Sequence, residues 1–551
     1  MSTTEGPEAS TEGRERRWWG WGDGRHEVSL GPGARAMLAQ RLGATEPWPV
    51  PALADLSMPE AGPLPPEVLQ AAGPDAVRTD DAARLRCGHG QGYPDLAQLR
   101  QGVVPALPDA VVRPPTPAAV AAVLRACTAT AVAVVPFGGG TSVVGGVDPV
   151  RGSFETVIAL DLGALTNVQI DPVSMTARLG AGLAGPDAER AVGAHGFTIG
   201  HLPQSFEHAT VGGWAATRSA GQASSRYGRF DALVREVTLA APVGGVRTLP
   251  AHSAAGPSVR ELILGSEGVL GVITDVVAQI RRVPERRVYE AWMAADLAAG
   301  TATVRELAQD DALPDVVRLS DEQETEMSLA LADTLDWQRS LLERYLRLRG
   351  REGGCLMICG WEGTAEGVAR ERARAGRRLR AGGAVSLGTR MGRVWEQGRF
   401  HGPYLRDVLL DEGLMVETLE TAHTWAGLAD LYGSVHGAIA RALDDQGTPG
   451  IVLCHLSHAY RDGASLYFTF LAPRRPGAEL EQWRAVKRAA GDAISAAGAT
   501  ITHHHAVGQD HAPWMRDEIG SLALDGLRAL KAQFDPAGIM NPGKLLSGEL
   551  R

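Results

Sequence analysis

One stretch constrains this chain more than any other: VVPFGGGTSVVGG, residues 134–146. A β-branched run ends in three consecutive glycines followed by Thr141 and Ser142. The run predicts a buried strand, and the glycines let backbone N–H groups crowd around an anion while the hydroxyls add donors. Just upstream, TPAAVAAVLRACTAT (116–130) places Thr116 to cap a helix, Pro117 in its first turn and apolar residues at helical spacing. The chain therefore delivers a helix into a strand that ends in an anion-holding loop. The loop lacks the Gly-Lys-Ser/Thr ending of a P-loop, and no helix opens on the spaced glycines of a Rossmann site.

A single glycine-rich turn is ordinary, but two more follow at wide spacing: PQSFEHATVGGWAATRSAGQASSRYG (203–228) and LILGSEGVLGVITDVVAQIRRVP (262–284). The strand-like TVIALDL, TARLGAG, REVTLAAP and GVITDVVAQI accompany these stretches, giving an α+β, mixed-sheet region up to about residue 285. The next part carries strand-like YEAWMAA, CLMICGW, LMVETLET, GIVLCHLSH and SLYFTFLA around helical stretches at 321–350 and 364–381, a second α+β unit. The end, LDGLRALKAQFDPAGIMNPGKLL, predicts a helix stopped by Asp-Pro and Asn-Pro turns. At 551 residues the chain exceeds one ordinary core. The expected division is a disordered tail (1–15), an N-terminal extension (16–105), a nucleotide-holding domain (106–285), a cap (286–500) and a closing segment (501–551). Trp18, Trp19 and Trp21 are expected to pack the extension onto its own body.

A formal charge of −10 argues against a nucleic-acid binder, so any anion site must be built locally. No apolar run reaches membrane-spanning length and the first residues are polar, so a cytoplasmic location is expected. The five scattered cysteines read as reduced core thiols.

The three glycine stretches, taken in order, resemble the FAD-binding domain of the vanillyl-alcohol oxidase/p-cresol methylhydroxylase superfamily. The resemblance implies an α+β fold: a two-part FAD-binding domain, an α+β cap for the substrate and a mostly helical N-terminal extension. It implies non-covalent FAD, with the pyrophosphate held by Pro136, Phe137, Gly138, Gly139, Gly140, Thr141 and Ser142. Ring and ribityl contacts fall on Gln204, Ser205, Phe206, Glu207, His208, Ala209 and Thr210, with Thr217, Arg218, Ser219 and Ala220. Glu267, Gly268, Val269, Leu270, Gly271, Val272 and Ile273 complete the set. Within the superfamily, WWGWG, VVRLSD (316–321), PYLRD (403–407), VETLETAHTW (416–425), GASLYFTF (463–470) and HHHAVG (503–508) resemble the alkyldihydroxyacetonephosphate synthases of ether-lipid synthesis.

That likeness implies an exchange with no net redox change. Flavin N5 takes the carbon bearing the acyl ester of acyl-dihydroxyacetone phosphate, the fatty acid leaves, and a fatty alcohol adds to give the ether. Tyr467 stands in the place of the proton carrier, His503, His504 and His505 form the catalytic triplet, and Arg406 ahead of Arg318 grips the phosphate. The partner is a lipid bearing a phosphate or carboxylate, with peripheral membrane contact through that lipid and a homodimer as the implied assembly. An FAD-linked dehydrogenase or oxidase of a 2-hydroxy acid or an alcohol is the alternative. On an extended segment side chains alternate, so His503 and His505 are expected to share a face, with His504 opposite. His511 is the only further histidine close in sequence, and no metal is expected. The chain departs from the family pattern at Ala506, where the family has glycine, and in QDHAPW (509–514).

Overall fold

The computed structural model describes residues 16–23, 28–249, 252–331 and 336–547; the polar tail and the terminal GELR lie outside the described residues. Thr116 caps the helix Pro117–Thr130, its hydroxyl accepting the N–H of Ala119 at 3.2 Å. The helix delivers the strand Val132–Phe137, which runs parallel to Thr156–Asp161; that strand pairs in parallel with Ala110–Val112. Beside this four-stranded sheet lies an antiparallel sheet of five strands, ordered 168–171, 176–180, 272–279, 234–241, 244–247. Val120, Val123, Leu124 and Cys127 of the helix are buried against Val132, Val134, Ile158 and Leu160. Each such side chain contributes about 1.5–3 kcal/mol when fully buried.

The C-terminal segment closes this half. After the helix Ser521–Phe534, the Asp535 carboxylate accepts the N–H groups of Ile539 and Met540 at 3.1 and 2.8 Å. The backbone of Val134 then exchanges hydrogen bonds with Ile539 and Asn541, both at 2.8 Å. The last turns of the chain thus fix the strand that leads into the glycine loop.

The cap is one antiparallel sheet of seven strands, in the order 385–388, 286–294, 355–363, 316–320, 451–457, 463–473, 414–424. One face packs Phe468, Phe470 and Leu419 into a core shared with the helices Leu428–Asp444 and Glu479–Ala496. The period of two along a strand turns the alternate residues, Tyr467 and Thr469 among them, to the opposite face and into a cavity.

The N-terminal extension is woven into both halves. Its helix Pro32–Leu42 packs Ala34, Leu38 and Leu42 onto Leu414, Ile451 and Leu471 of the cap sheet. Val77–Arg78 is an edge strand of the flavin-side sheet, and Trp21 is buried with its ring edge-on to His208 at 5.5 Å. All five cysteines are free, and all but Cys87 are buried. Among the described residues no helix is long and apolar enough to cross a membrane.

Candidate active site

A cavity of about 1310 Å³ lies between the glycine loops and the cap sheet. One wall is formed by the glycine loops. All of Pro136 to Ser142 line it, with Gln204, Ser205, Ala209, Thr210, Thr217, Ser219, Ala220, Glu267, Gly268, Gly271 and Ile273. A Cβ on Gly139 would overlap the carbonyl oxygen of His208, so only glycine lets the first loop close onto the second. Glu267 ties this wall to the chain after the histidine triplet: its carboxylate accepts the N–H groups of Val507 and Gly508 at 2.8 and 2.7 Å. Burial pushes that carboxyl up to about 7.

The loops suit a pyrophosphate. Arg16 lies over them and donates to the carbonyl of Gly139 at 2.6 Å, and the Gln91 N–H reaches the carbonyl of Ser142 at 2.6 Å. Arg406 donates to the carbonyl of Gln91. Among the described residues, Nη2 of Arg16 and the whole side-chain amide of Gln91 are buried without a hydrogen-bond partner. Unpaired buried donors are costly, and a phosphate oxygen is the acceptor guanidinium forks fit.

The remaining predicted cofactor residues point elsewhere. Phe206 stacks on Phe400 at 5.6 Å, Arg218 donates to the carbonyls of Leu264 and Glu261, and Val269, Leu270 and Val272 are buried in the cores behind the wall. Tyr404 Oη donates to Glu207 at 3.1 Å and lies 3.2 Å from His208 Nε2. The side chains of these seven do not line the cavity and pack or hydrogen-bond behind the loops.

The cap-side wall is made of side chains. Strand register sets Ser320, His455, Tyr467 and Glu420 side by side across four neighbouring strands. The rings of His455 and Tyr467 stack at 4.9 Å. Arg318 donates to Glu324 at 2.7 Å, and Glu324 also meets His455 Nδ1 at 3.0 Å. Burial raises the Glu324 carboxyl, but His455 and Arg318 outweigh it and hold the group well below the carboxylate range. Arg318 thus spends part of its charge on buried Glu324, and Arg406 faces buried Asp407 at 3.8 Å while its Nε–H keeps no hydrogen-bond partner.

The triplet is bent rather than extended, because Glu420 gathers it. Its fully buried carboxylate accepts the backbone N–H of His503, of His504 at 3.0 Å and of His505 at 2.7 Å, with the Thr502 hydroxyl as a further donor. Burial opposes charge on Glu420, yet the donors gathered on it, the Thr502 hydroxyl among them, keep it well below its ordinary value. The expected alternation is therefore corrected: His504 and His505 line the cavity together, and His503 turns back to Tyr460, whose hydroxyl is 2.8 Å from its Nε2. Tyr467 meets His505 edge-on at 5.4 Å and lies parallel to His504 at 6.0 Å.

Burial lowers His504 and brings His505 down to about 3, so both imidazoles are neutral near neutral pH. Burial pushes the Tyr467 phenol up to about 12. At rest the wall holds a protonated phenol beside neutral imidazole acceptors. His511 takes no part, its Nδ1 lying 2.8 Å from the carbonyl oxygen of Ala506. His458 comes in its place: one ring nitrogen from each of His458, His503 and His504 lies within 4.8 Å of the other two.

Sequence reasoning missed Glu420, Glu324, His455, His458 and Tyr460. For Glu420, His455 and His458 the signal was present as polar residues in the apolar stretches LETAHT and CHLSH, but their meeting depends on strand register. It also missed two apolar lobes flanking Tyr467. One is formed by Leu30, Leu38 and Met327 with Leu471, the other by Leu342, Leu346, Leu356 and Ile358 with Trp395.

Two family descriptions match: an FAD binding domain over residues 108–250, and the C-terminal domain of FAD linked oxidases over residues 283–545. The alkyldihydroxyacetonephosphate synthase of Trypanosoma brucei brucei is 32% identical over 495 residues, covering 88% of this chain and 80% of that protein. A solved alkyldihydroxyacetonephosphate synthase superposes with a TM-score of 0.82 at 27% identity, over 96% of this chain and 98% of the other. p-Cresol methylhydroxylase shares the fold, with a TM-score of 0.65 at 14% identity over 88% of this chain and 96% of the other.

Proposed function

Because the chain belongs to the alkyldihydroxyacetonephosphate synthase family of FAD-linked enzymes, we propose that it exchanges the acyl group of acyl-dihydroxyacetone phosphate for a fatty alcohol. What supports this most is one cavity in which phosphate-seeking donors, a phenol–imidazole pair and apolar lobes follow one another. Held by the glycine loops, with Arg16 over them, FAD would supply a nucleophilic ring nitrogen to the exchange.

This chain's residues do the rest. Arg406, whose Nε–H keeps no hydrogen-bond partner, orients the phosphate, with Arg318 next to the His455–Tyr467 stack as the second cation. A proton must leave the carbon beside the ketone and later return. The Tyr467 phenol is protonated at rest, so it can accept that proton only after passing its own to His505 or His504, whose neutral rings have a lone pair to offer. The proton returns by the same route, and no electron acceptor is consumed. Glu420 holds the imidazoles in place and offsets the positive charge they gain.

Leu342 and Leu346 of the helix Asp336–Leu348 face the cavity while Trp337, Leu341 and Leu348 stay exposed, a face suited to peripheral contact with the lipid phase that carries the substrate. Non-covalent attachment of FAD follows from the packing of His208 against Trp21 and Tyr404, away from the cavity. Two copies are the assembly the family resemblance implies.

The test is anaerobic mixing of the purified holoenzyme with acyl-dihydroxyacetone phosphate and a labelled fatty alcohol while flavin absorbance is followed. The label should enter the ether product with the flavin oxidised at the end and no acceptor present. Full bleaching by a 2-hydroxy acid, with electrons passing to a dye and no ether formed, would overturn the proposal.

A further inference from the structure

We propose that His458, His503 and His504 form a metal site in the cavity wall that takes a zinc-class divalent ion. Nδ1 of His503 and Nδ1 of His504 are 3.1 Å apart, and one ring nitrogen from each of His458, His503 and His504 lies within 4.8 Å of the other two. Two nitrogens bound to one tetrahedral zinc at about 2.0–2.1 Å stand about 3.3 Å apart. Two of the three ligands are thus already at ligand spacing, and a small ring movement brings in the third.

The surroundings match what ligating imidazoles require. A histidine that gives one ring nitrogen to a metal donates the N–H of the other to an acceptor that fixes its tautomer. Tyr460 Oη, 2.8 Å from Nε2 of His503, is such an acceptor. Ser224 Oγ, 2.6 Å from Nδ1 of His458, is another. The buried Glu420 carboxylate, 3.5 Å from Nδ1 of His504, offsets the charge of the ion. His458 is held at φ +48°, a backbone conformation that side chains rarely adopt, so its ring is presented from a constrained turn. His458 and His504 both line the cavity, which leaves the fourth coordination position facing the space where substrate binds. Three neutral imidazoles with an open fourth position select zinc-class ions rather than magnesium or calcium, which prefer oxygen.

An ion bound there occupies the lone pair of His504 and blocks the cavity wall, so it acts as a reversible inhibitor. That consequence rests on the proposed function; ion binding does not, and the two are read separately.

Chelator-treated holoenzyme is titrated with Co²⁺, whose tetrahedral complexes absorb at longer wavelength than oxidised flavin. The expected result is a saturating band at about one ion per chain, displaced by Zn²⁺ and absent in His458→Gln at unchanged FAD content. Ser224→Ala, which removes the outer partner while keeping all three ligands, should weaken binding about 10–100-fold. Loss of ether formation on adding Zn²⁺, restored by chelator, is the second readout. No band at stoichiometric Co²⁺, or an equal band in His458→Gln, overturns the site. A band without inhibition keeps the site and overturns only the inhibitory role.

Discussion

The two walls of the cavity are made of different material. On the flavin side, backbone does the holding: the glycines of residues 138–140 close onto the second loop, and what matters is where a side chain is absent. On the cap side, side chains do everything, and they come from strands far apart in sequence that only register brings together: Ser320, His455, Tyr467 and Glu420. On the proposed function, the flavin wall binds and the cap wall moves a proton. The difference makes the walls separable by mutation.

The largest effect is expected on the cap side. Glu420→Ala removes the acceptor shared by three backbone N–H groups and the Thr502 hydroxyl, and leaves those donors buried. It should cost about 3–5 kcal/mol of stability, read from chemical denaturation, and reduce turnover at least about 100-fold. Flavin content should be retained, which separates this wall from the other. Gly139→Ala strikes the opposite wall. Its Cβ meets the carbonyl of His208, which is backbone and cannot swing aside, so FAD occupancy after purification should fall about tenfold while the cap sheet is untouched.

Glu267 joins the two walls and gives the comparison a pH signature. Its carboxyl is raised from an ordinary value of 4.5 to about 7 by burial. A raised carboxyl contributes stability that is fully present below pH 4.5 and is lost as pH rises through about 7. The melting temperature of Glu267→Gln should therefore fall less than that of the parent across this window. Parallel curves for the two proteins would remove Glu267 from the account. The smallest effect belongs to Ala506, which holds φ +73°. Left-handed backbone costs a non-glycine residue about 1–2 kcal/mol, partly offset by the freedom glycine has when unfolded, so Ala506→Gly should stabilise by about 0.5–1 kcal/mol.

The same contrast explains what the sequence disclosed. The flavin wall was legible because its information is local: a strand, three glycines and two hydroxyls lie within one short stretch, and Thr116 marks the helix before it. What the local stretch does not disclose is which of its side chains turn behind the loops, as Glu207, His208 and Arg218 do. On the cap side Tyr467 and the triplet were found only by resemblance, and the triplet's geometry was misjudged. Alternation along an extended strand placed His504 apart, but a carboxylate on another strand bends the segment around itself. Nothing local in HHHAVG encodes Glu420, just as nothing local in CHLSH encodes its meeting with Glu324. The divergent QDHAPW proves to be anchoring: the backbone of Gln509 and Asp510 bonds the carbonyl of Val144 beside the glycine loop, and Trp514 packs on Gly491.

The separation of binding from chemistry is tested most directly by Tyr467→Phe, assayed for flavin content and for ether formation in the same preparation. The substitution deletes one hydroxyl from the cap wall and leaves the ring stacked on His455. The expected result is full FAD occupancy with turnover lost. Turnover retained at full occupancy would contradict the assignment of the proton to this wall.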